Sequence, residues 1–271
     1  MALFPPEGGT GKMEHRVIKG VVLCAVLFVS SIAWGAHPLI TDDTETLGKG
    51  KFQVEVSGEY GSKKETLDGV SVEETGAEVA TTLSYGFIES ADLVLSLPHH
   101  WGQVKEDGVT VYDEKGISDM IIEIKWRFFK NDGLSLALKP GLIFPTGNKG
   151  KGLGSGKTGY QLFLIGSKEV APWAFHANIG YIGNENEVNE RTNIWHASLA
   201  ATCEVVKDLK LVGNIGIERN RAATAVKDPA FLIGGVIYSL SERFDIDFGV
   251  KSGLTPNETE WSLMAGMAFR F

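Results

Sequence analysis

The last twelve residues of the chain, 260–271, read EWSLMAGMAFRF and decide the fold class. One face holds Trp261, Leu263, Met267, Phe269 and the terminal Phe271, and the opposite face holds Glu260, Ser262 and Arg270. A period of two places alternate side chains on opposite faces of a β-strand, whereas a helix would mix the two sets. We interpret this stretch as the last strand of an outer-membrane β-barrel, with its apolar face toward lipid.

The same alternation recurs along the chain in about twelve segments of roughly ten residues, the length that a tilted strand needs to cross a bilayer. These segments are 51–60, 76–85, 92–101, 117–128, 134–144, 160–166, 173–182, 193–204, 209–218, 230–239, 244–251 and 260–271. An even strand number is usual for single-chain bacterial barrels. The sequence therefore predicts an all-β, antiparallel up-and-down transmembrane barrel of about 12 strands.

Short and long gaps alternate between these segments. The short gaps carry turn residues such as Asn131-Asp132-Gly133. The long gaps are polar and rich in Gly or Asn, and they cover 61–75, 102–116, 145–159, 183–192, 219–229 and 252–259. This predicts periplasmic turns at one end and extracellular loops at the other. Two prolines interrupt the pattern: we expect a bulge at Pro140 and a strand end at Pro98.

A soluble β-sandwich or lipocalin-like barrel would also alternate. Two features favour the membrane barrel. The polar face mixes charged residues with Ser, Gly and Ala, as expected of a crowded lumen. Aromatic residues cluster near segment ends, where an interfacial girdle would lie. In 230–239 the predicted lipid face holds Phe231, Ile233 and Ile237.

The first 36 residues are typical of a secretory signal peptide. An apolar run covers 21–32 and is too short to span a bilayer as a helix. It follows basic residues, and Met13 is an alternative start. Cleavage is expected near Gly35/Ala36, which leaves Cys203 as the one cysteine and precludes an intramolecular disulfide. We expect residues 37–50 to form a periplasmic segment and 51–271 the barrel.

Composition and motifs argue against several other functions. The net charge of -8 disfavours nucleic-acid binding. Lys151–Thr158 resembles a phosphate-binding loop, but it lacks the first glycine and a following helix, so a flexible basic loop is the better interpretation. Asp42, Asp43 and Glu45 fit a solvated acidic segment better than a metal site. We expect no cofactor, no metal and no catalytic residue.

The polar face of the alternating segments supplies the candidate functional residues. They are Glu123, Lys125, Arg127, His176, His196, Asp245, Asp247, Lys251 and Arg270. Charges of both signs inside a barrel can surround a water-filled pore and set its selectivity. They can equally pair across strands and hold a narrow barrel shut. The sequence leaves both possibilities open.

Two stretches resemble a known family. One is His37–Phe52, and the other is Phe144-Pro145-Thr146-Gly147 with the loop Lys149–Tyr160. Both resemble the bacterial outer-membrane proteins named for the meta-cleavage pathway of phenol degradation, over most of the chain from His37 to Phe271. The resemblance implies an outer-membrane barrel that moves small, including aromatic or apolar, compounds, and it implies no catalytic residues.

These observations lead to an outer-membrane channel or transporter for small, aromatic or apolar solutes. The expected partners are outer-membrane lipid, the small-molecule solute, and the barrel-assembly machinery, which would engage the strand ending at Phe271. One alternative is an outer-membrane enzyme acting on lipid, with His99 or His100 as its reactive group. Another is a structural or adhesive barrel without flux.

Overall fold

The computed structural model describes residues 37–67 and 69–271, so the predicted signal peptide lies outside the described residues. Within this part, no helix is long and apolar enough to span a membrane. The described residues include one short 3-10 helix, Lys149–Lys151. The strands are β1 Phe52–Leu67, β2 Val70–Ile88, β3 Ala91–Glu106, β4 Val109–Ile117, β5 Met120–Asn131, β6 Leu134–Phe144, β7 Gly159–Val170, β8 Trp173–Gly183, β9 Asn193–Val206, β10 Leu209–Glu218, β11 Ala230–Ser241, β12 Phe244–Gly253 and β13 Trp261–Arg270.

Twelve of these strands form a closed antiparallel barrel. Each pairs with its neighbours along the chain, β3 pairs with β5, and β1 pairs with β13. The backbone of Phe52 exchanges two hydrogen bonds with that of Phe271, at 3.0 and 3.2 Å. The predicted 12-stranded barrel is therefore confirmed, and the last strand closes on the first. β4 is an additional strand that pairs with β3 alone.

The two ends of the barrel differ. At one end, which we call the turn end, five strand pairs are joined by the two-residue turns 89–90, 132–133, 171–172, 207–208 and 242–243. At the other, which we call the loop end, the connections 145–158, 184–192, 219–229 and 254–260 are longer. Both the start of β1 and Phe271 lie at the turn end.

Two of the predicted loops are hairpins instead. β1 and β2 stay paired out to Leu67 and Val70, and β3 and β4 stay paired out to Glu106 and Val109. The tip of the second hairpin is Asp107-Gly108, with φ of 47° and 82°. Two consecutive positive φ values define the tight turn that matches strand twist, and Asp-Gly favours it. The polar segments 61–75 and 102–116 thus extend the wall beyond the barrel.

The expectations for the two prolines were wrong. The β5–β6 pairing is interrupted at Ile124 and Lys125, which lie opposite Pro140 and Lys139. The register is the same on both sides of this gap, so no bulge forms there. Because proline lacks an N–H, the cost is a local gap in one ladder. Pro98 lies in the middle of β3, where the partner of that strand changes from β5 to β4.

The outward face of the barrel is apolar. Large exposed side chains include Leu83, Leu93, Leu97, Ile124, Leu162, Leu164, Ile179, Leu199, Leu211, Ile215, Phe248 and Leu263. An apolar exterior of this kind requires lipid, because a soluble protein would bury it. One facing assignment is corrected. In β11, Phe231 and Ile233 point into the barrel and are buried, while Leu232 and Tyr238 are exposed.

The lipid-facing band can be tested with one substitution at two sites. Ile179 lies in mid-β8 and Val109 at the tip of the β3–β4 hairpin, with 67% and 66% of their surface exposed. We expect Ile179→Arg to lower the free energy of unfolding in lipid vesicles by about 2–4 kcal/mol, because the charge enters hydrocarbon. Val109→Arg should change it by less than about 0.5 kcal/mol. Equal losses of unfolding free energy would mean that Ile179 and Val109 face the same environment, which would contradict a lipid-facing band at Ile179.

Candidate functional site

Residues 37–47, which we call the inner segment, lie inside the barrel. The chain enters at the turn end, where Gly50 N–H bonds the Gly86 carbonyl at 2.7 Å. Leu47 N–H then bonds both oxygens of Asp92 on β3, at 3.0 and 3.2 Å. The contacts of residues 37–47 with the barrel wall place this part of the predicted N-terminal segment in the lumen.

An ion cluster holds the middle of the inner segment. The Asp42 carboxylate contacts Lys125 Nζ at 2.9 Å through one oxygen and Lys139 Nζ at 3.0 Å through the other. Lys125 also contacts Asp43 at 3.1 Å, and Lys139 contacts Glu123 at 3.1 Å. Asp42 is only 4% exposed. The expectation of a solvated acidic segment was therefore wrong for Asp42, which neutralises two buried lysines.

Hydrogen bonds from side chains of the wall also hold the inner segment, mainly through its backbone. The Asn214 side chain on β10 accepts from the N–H groups of Ile40 and Thr41, at 2.8 and 3.1 Å, and donates to the Thr41 hydroxyl at 2.6 Å. Ser167 on β7 accepts from Thr44 N–H at 3.1 Å. The Asn178 amide, in the orientation that satisfies both its atoms, bonds the N–H and carbonyl of Asp42. An extended peptide inside the barrel has no ladder of its own, so the wall supplies its partners.

The far end of the inner segment reaches the opposite wall. His37 Nδ1 forms a hydrogen bond with Asp247 on β12. Pro38 packs against glycines of β11 and β12, and a methyl group on Gly249 would come within 2.8 Å of the proline ring. The inner segment thus crosses the lumen from β3 to β12. Glycine in the wall makes room for it.

Apolar side chains cover part of the inner wall in the half toward the loop end. We call them the inner apolar patch; its members are Phe163, Ile165, Ile182, Ile194, Phe231, Ile233 and Met264, and they pack with Ala137 and with Ile40 of the inner segment. A uniformly polar lumen was expected from the alternation, so this patch is a feature that sequence reasoning missed. Alternation separates two faces but does not report that both are apolar in β11.

The structure places the remaining candidate residues on the inner face in separate groups. Lys251 contacts Glu59 at 2.6 Å and Glu258 at 3.3 Å near the loop end. Arg270 contacts Asp245 at 2.7 Å near the turn end. Arg270 bridges the neighbouring strands β13 and β12, whereas Lys251 on β12 reaches across β13 to Glu59 on β1 and to Glu258 in the connection 254–260.

His176 and Arg127 lie near the turn end of the inner face. The His176 ring bonds the Ser167 hydroxyl at 2.8 Å. Arg127, on the same face as Lys125, donates its backbone N–H to the Ser90 carbonyl at 2.8 Å. These positions set them close to where the inner segment enters.

His196 forms a chain that has the connectivity of a catalytic triad. Its Nδ1 lies 3.3 Å from Glu218, and its Nε2 lies 3.0 Å from the Ser198 hydroxyl. However, His196 is completely buried, with Phe163 edge-on at 5.7 Å between ring centroids. With no exposed atom, its imidazole can accept no proton from a bound substrate, so the arrangement fits a structural network in the wall.

The two histidines of the enzyme alternative lack nucleophilic partners of that kind. The His99 ring lies tilted against that of Trp101, with 4.5 Å between ring centroids, and His100 contacts Glu78 at 2.9 Å. Across residues 37–67 and 69–271, no three His, Cys, Asp or Glu side chains are grouped as a metal site requires.

The loop that resembles a phosphate-binding motif is tied to the barrel. Asp119 accepts hydrogen bonds from Gly147 N–H and from both the N–H and the hydroxyl of Ser155, at 2.7–2.9 Å. Two lysines of this region are paired: Lys151 contacts Glu114 at 2.8 Å, and Lys149 bonds Glu187 and lowers the pKa of that carboxyl. The loop is therefore anchored beside β4 and β5.

The fold and lumen can now be compared with known proteins. The family model described as "Putative MetA-pathway of phenol degradation" matches residues 37–271, which include the inner segment and the whole barrel. The chain belongs to this family. No curated protein matches the sequence.

Several solved structures share the barrel. The COG4313 outer membrane channel from Pseudomonas putida F1 is 15% identical, with a TM-score of 0.66 over 84% of this chain and 98% of that one. The NanC porin is 11% identical, with a TM-score of 0.53 over 80% and 98%. The translocator domain of autotransporter NalP from Neisseria meningitidis is 13% identical, with a TM-score of 0.52 over 95% and 96%. At these identities the similarity establishes the fold alone for this family member.

The ion cluster predicts unequal effects of two lysine substitutions. Lys139→Met should lower the free energy of unfolding by about 3–5 kcal/mol, because it removes the ammonium group that contacts the buried Glu123 carboxylate and one of the two that contact Asp42. Lys130 contacts Glu45 at 3.9 Å, with both side chains more than half exposed. Lys130→Met should cost at most about 1 kcal/mol. Denaturant titration of the refolded protein measures both, and similar costs would show that the cluster is solvated.

Proposed function

We propose that the protein is an outer-membrane channel for small apolar or aromatic solutes. The observation that carries this proposal is the inner apolar patch, which lies within a closed, lipid-facing barrel of 12 strands. A barrel that served only as a scaffold or an adhesin would need no apolar surface in its lumen. The family relationship to phenol degradation supports an aromatic solute.

The lumen would work as two consecutive regions. A solute entering from the loop end first meets the inner apolar patch, which favours an apolar body over water. It then meets the inner segment, which crosses the half nearer the turn end. Passage therefore depends on how firmly the wall holds the inner segment, and this would restrict free diffusion of hydrophilic molecules.

We also propose the orientation and the route of assembly. Short turns at one end and long connections at the other place the turn end in the periplasm, as in bacterial outer-membrane barrels. Export through a cleaved signal peptide fits the N-terminal residues. The exposed apolar face supports outer-membrane lipid as a partner. The edge of β13, which ends beside Phe271, would engage the barrel-assembly machinery before it pairs with β1.

We further propose that the protein has no enzymatic activity. His99→Ala and His100→Ala should leave hydrolysis of a lipid ester at the level of empty micelles, as for the unchanged protein. A hydrolysis rate that is abolished by either substitution would favour the outer-membrane enzyme.

Loosening the inner segment should open the channel. Replacing Asn214 and Ser167 together by alanine removes four hydrogen bonds to the inner segment. We expect a several-fold increase in ion conductance in a planar bilayer, because the segment then leaves the lumen more often. The matched control is Gln103→Ala, which removes an exposed hydrogen bond to Asp113 in the β3–β4 hairpin and should leave conductance unchanged. Folded protein that never conducts in either form would contradict the channel.

A further inference from the structure

The two lysines of the ion cluster hold Asp42 as a binding site holds a ligand. Lys125 and Lys139 come from adjacent strands, and each contacts a different oxygen of the one carboxylate. Their side chains are 11% and 3% exposed. The wall thus presents two buried ammonium groups at the spacing of a carboxylate, and the residue that fills the site belongs to a separate segment.

The charge balance shows that the site needs an anion. Both carboxylates that contact Lys125 belong to the inner segment, and Lys139 contacts Asp42 together with Glu123 of the wall, which also accepts from Gln161 at 2.7 Å. Withdrawal of the inner segment would therefore take both of these carboxylates from Lys125 and Asp42 from Lys139. Buried ammonium groups without a counter-charge are strongly unfavourable. The segment can leave readily only if another anion takes its place.

The side chains around the lysine pair indicate what chemical group the anion should carry besides its carboxylate. Phe163 lies directly opposite Lys139 in the β6–β7 register, and Ile165 lies opposite Ala137. Directly opposed residues on one face are in contact range. The lysine pair therefore adjoins the inner apolar patch, where Ile40 of the inner segment now packs.

We propose that Lys125 and Lys139 form a binding site for small monocarboxylates with an apolar ring, and that Asp42 and Ile40 occupy it in the resting protein. A carboxylate solute displaces Asp42, its ring takes the place of Ile40 on the patch, and the inner segment is released. The inference rests on the proposed channel and names its solute class. Asp42 is a competitor tethered to the site, at an effective concentration on the order of millimolar.

Hydrogen exchange of the refolded protein tests this without measuring flux. The N–H groups of Ile40, Thr41 and Thr44 are hydrogen-bonded to the wall and should exchange slowly. Benzoate should speed exchange of residues 38–46 in a dose-dependent way, whereas benzyl alcohol, which is neutral and of similar shape, should not. Equal acceleration by both compounds, or none by benzoate, would overturn the proposal.

Three variants sharpen the test. Asp42→Asn removes the competing charge and should lower the dissociation constant of benzoate, measured by calorimetry in micelles, by about tenfold or more. Glu45→Gln, at an exposed carboxylate three residues away, should not change it. Lys125→Gln should abolish the benzoate effect on exchange. Persistence of that effect in folded Lys125→Gln protein would refute the site.

The outcomes separate the site from the channel. If benzoate releases the inner segment but no variant conducts, the carboxylate site stands and the channel fails. If the protein conducts but benzoate neither binds nor alters exchange, the channel stands and the carboxylate site is wrong.

Discussion

The whole structure depends on hydrogen bonding of the backbone in a solvent that offers no partners. In hydrocarbon every strand must have a neighbour on both sides, so an open sheet edge cannot persist. The pairing of β1 with β13 meets this requirement, and the mutual bonds of Phe52 and Phe271 complete it at the turn end. The additional strand β4 has one partner and lies in the hairpin that extends beyond the barrel.

Closure creates an interior in which charge must be balanced locally. The inner face carries Lys125, Lys139 and Lys251, all strongly buried, and each contacts two carboxylates. The inner segment supplies Asp42 and Asp43 to Lys125 and shares Asp42 with Lys139. The barrel and the segment are therefore parts of one electrostatic unit, although the segment belongs to no strand.

The sequence was sufficient for the twelve strands of the barrel because period two is a local signal. It was insufficient where both faces of a strand are apolar, as in β11. There, Phe231 and Leu232 are equally good candidates for the position that faces lipid. The dipeptide Asp107-Gly108 is itself a signal for the tight turn of the β3–β4 hairpin. The prediction of a loop rested only on the length of the gap between alternating segments. Contacts such as that of Asp42 with Lys139 leave no trace in spacing, because they join residues that lie far apart in the sequence.

The inner segment has a consequence for the order of events in folding. It is the first part of the described chain to be synthesised, yet Asp42 bonds Lys125 across 83 residues and Ile40 bonds Asn214 across 174. Contacts so distant in sequence form late, because long loops must close first. The segment therefore cannot template the barrel. Its docking can be completed only once Asp247 on β12, which His37 contacts across 210 residues, is also in place.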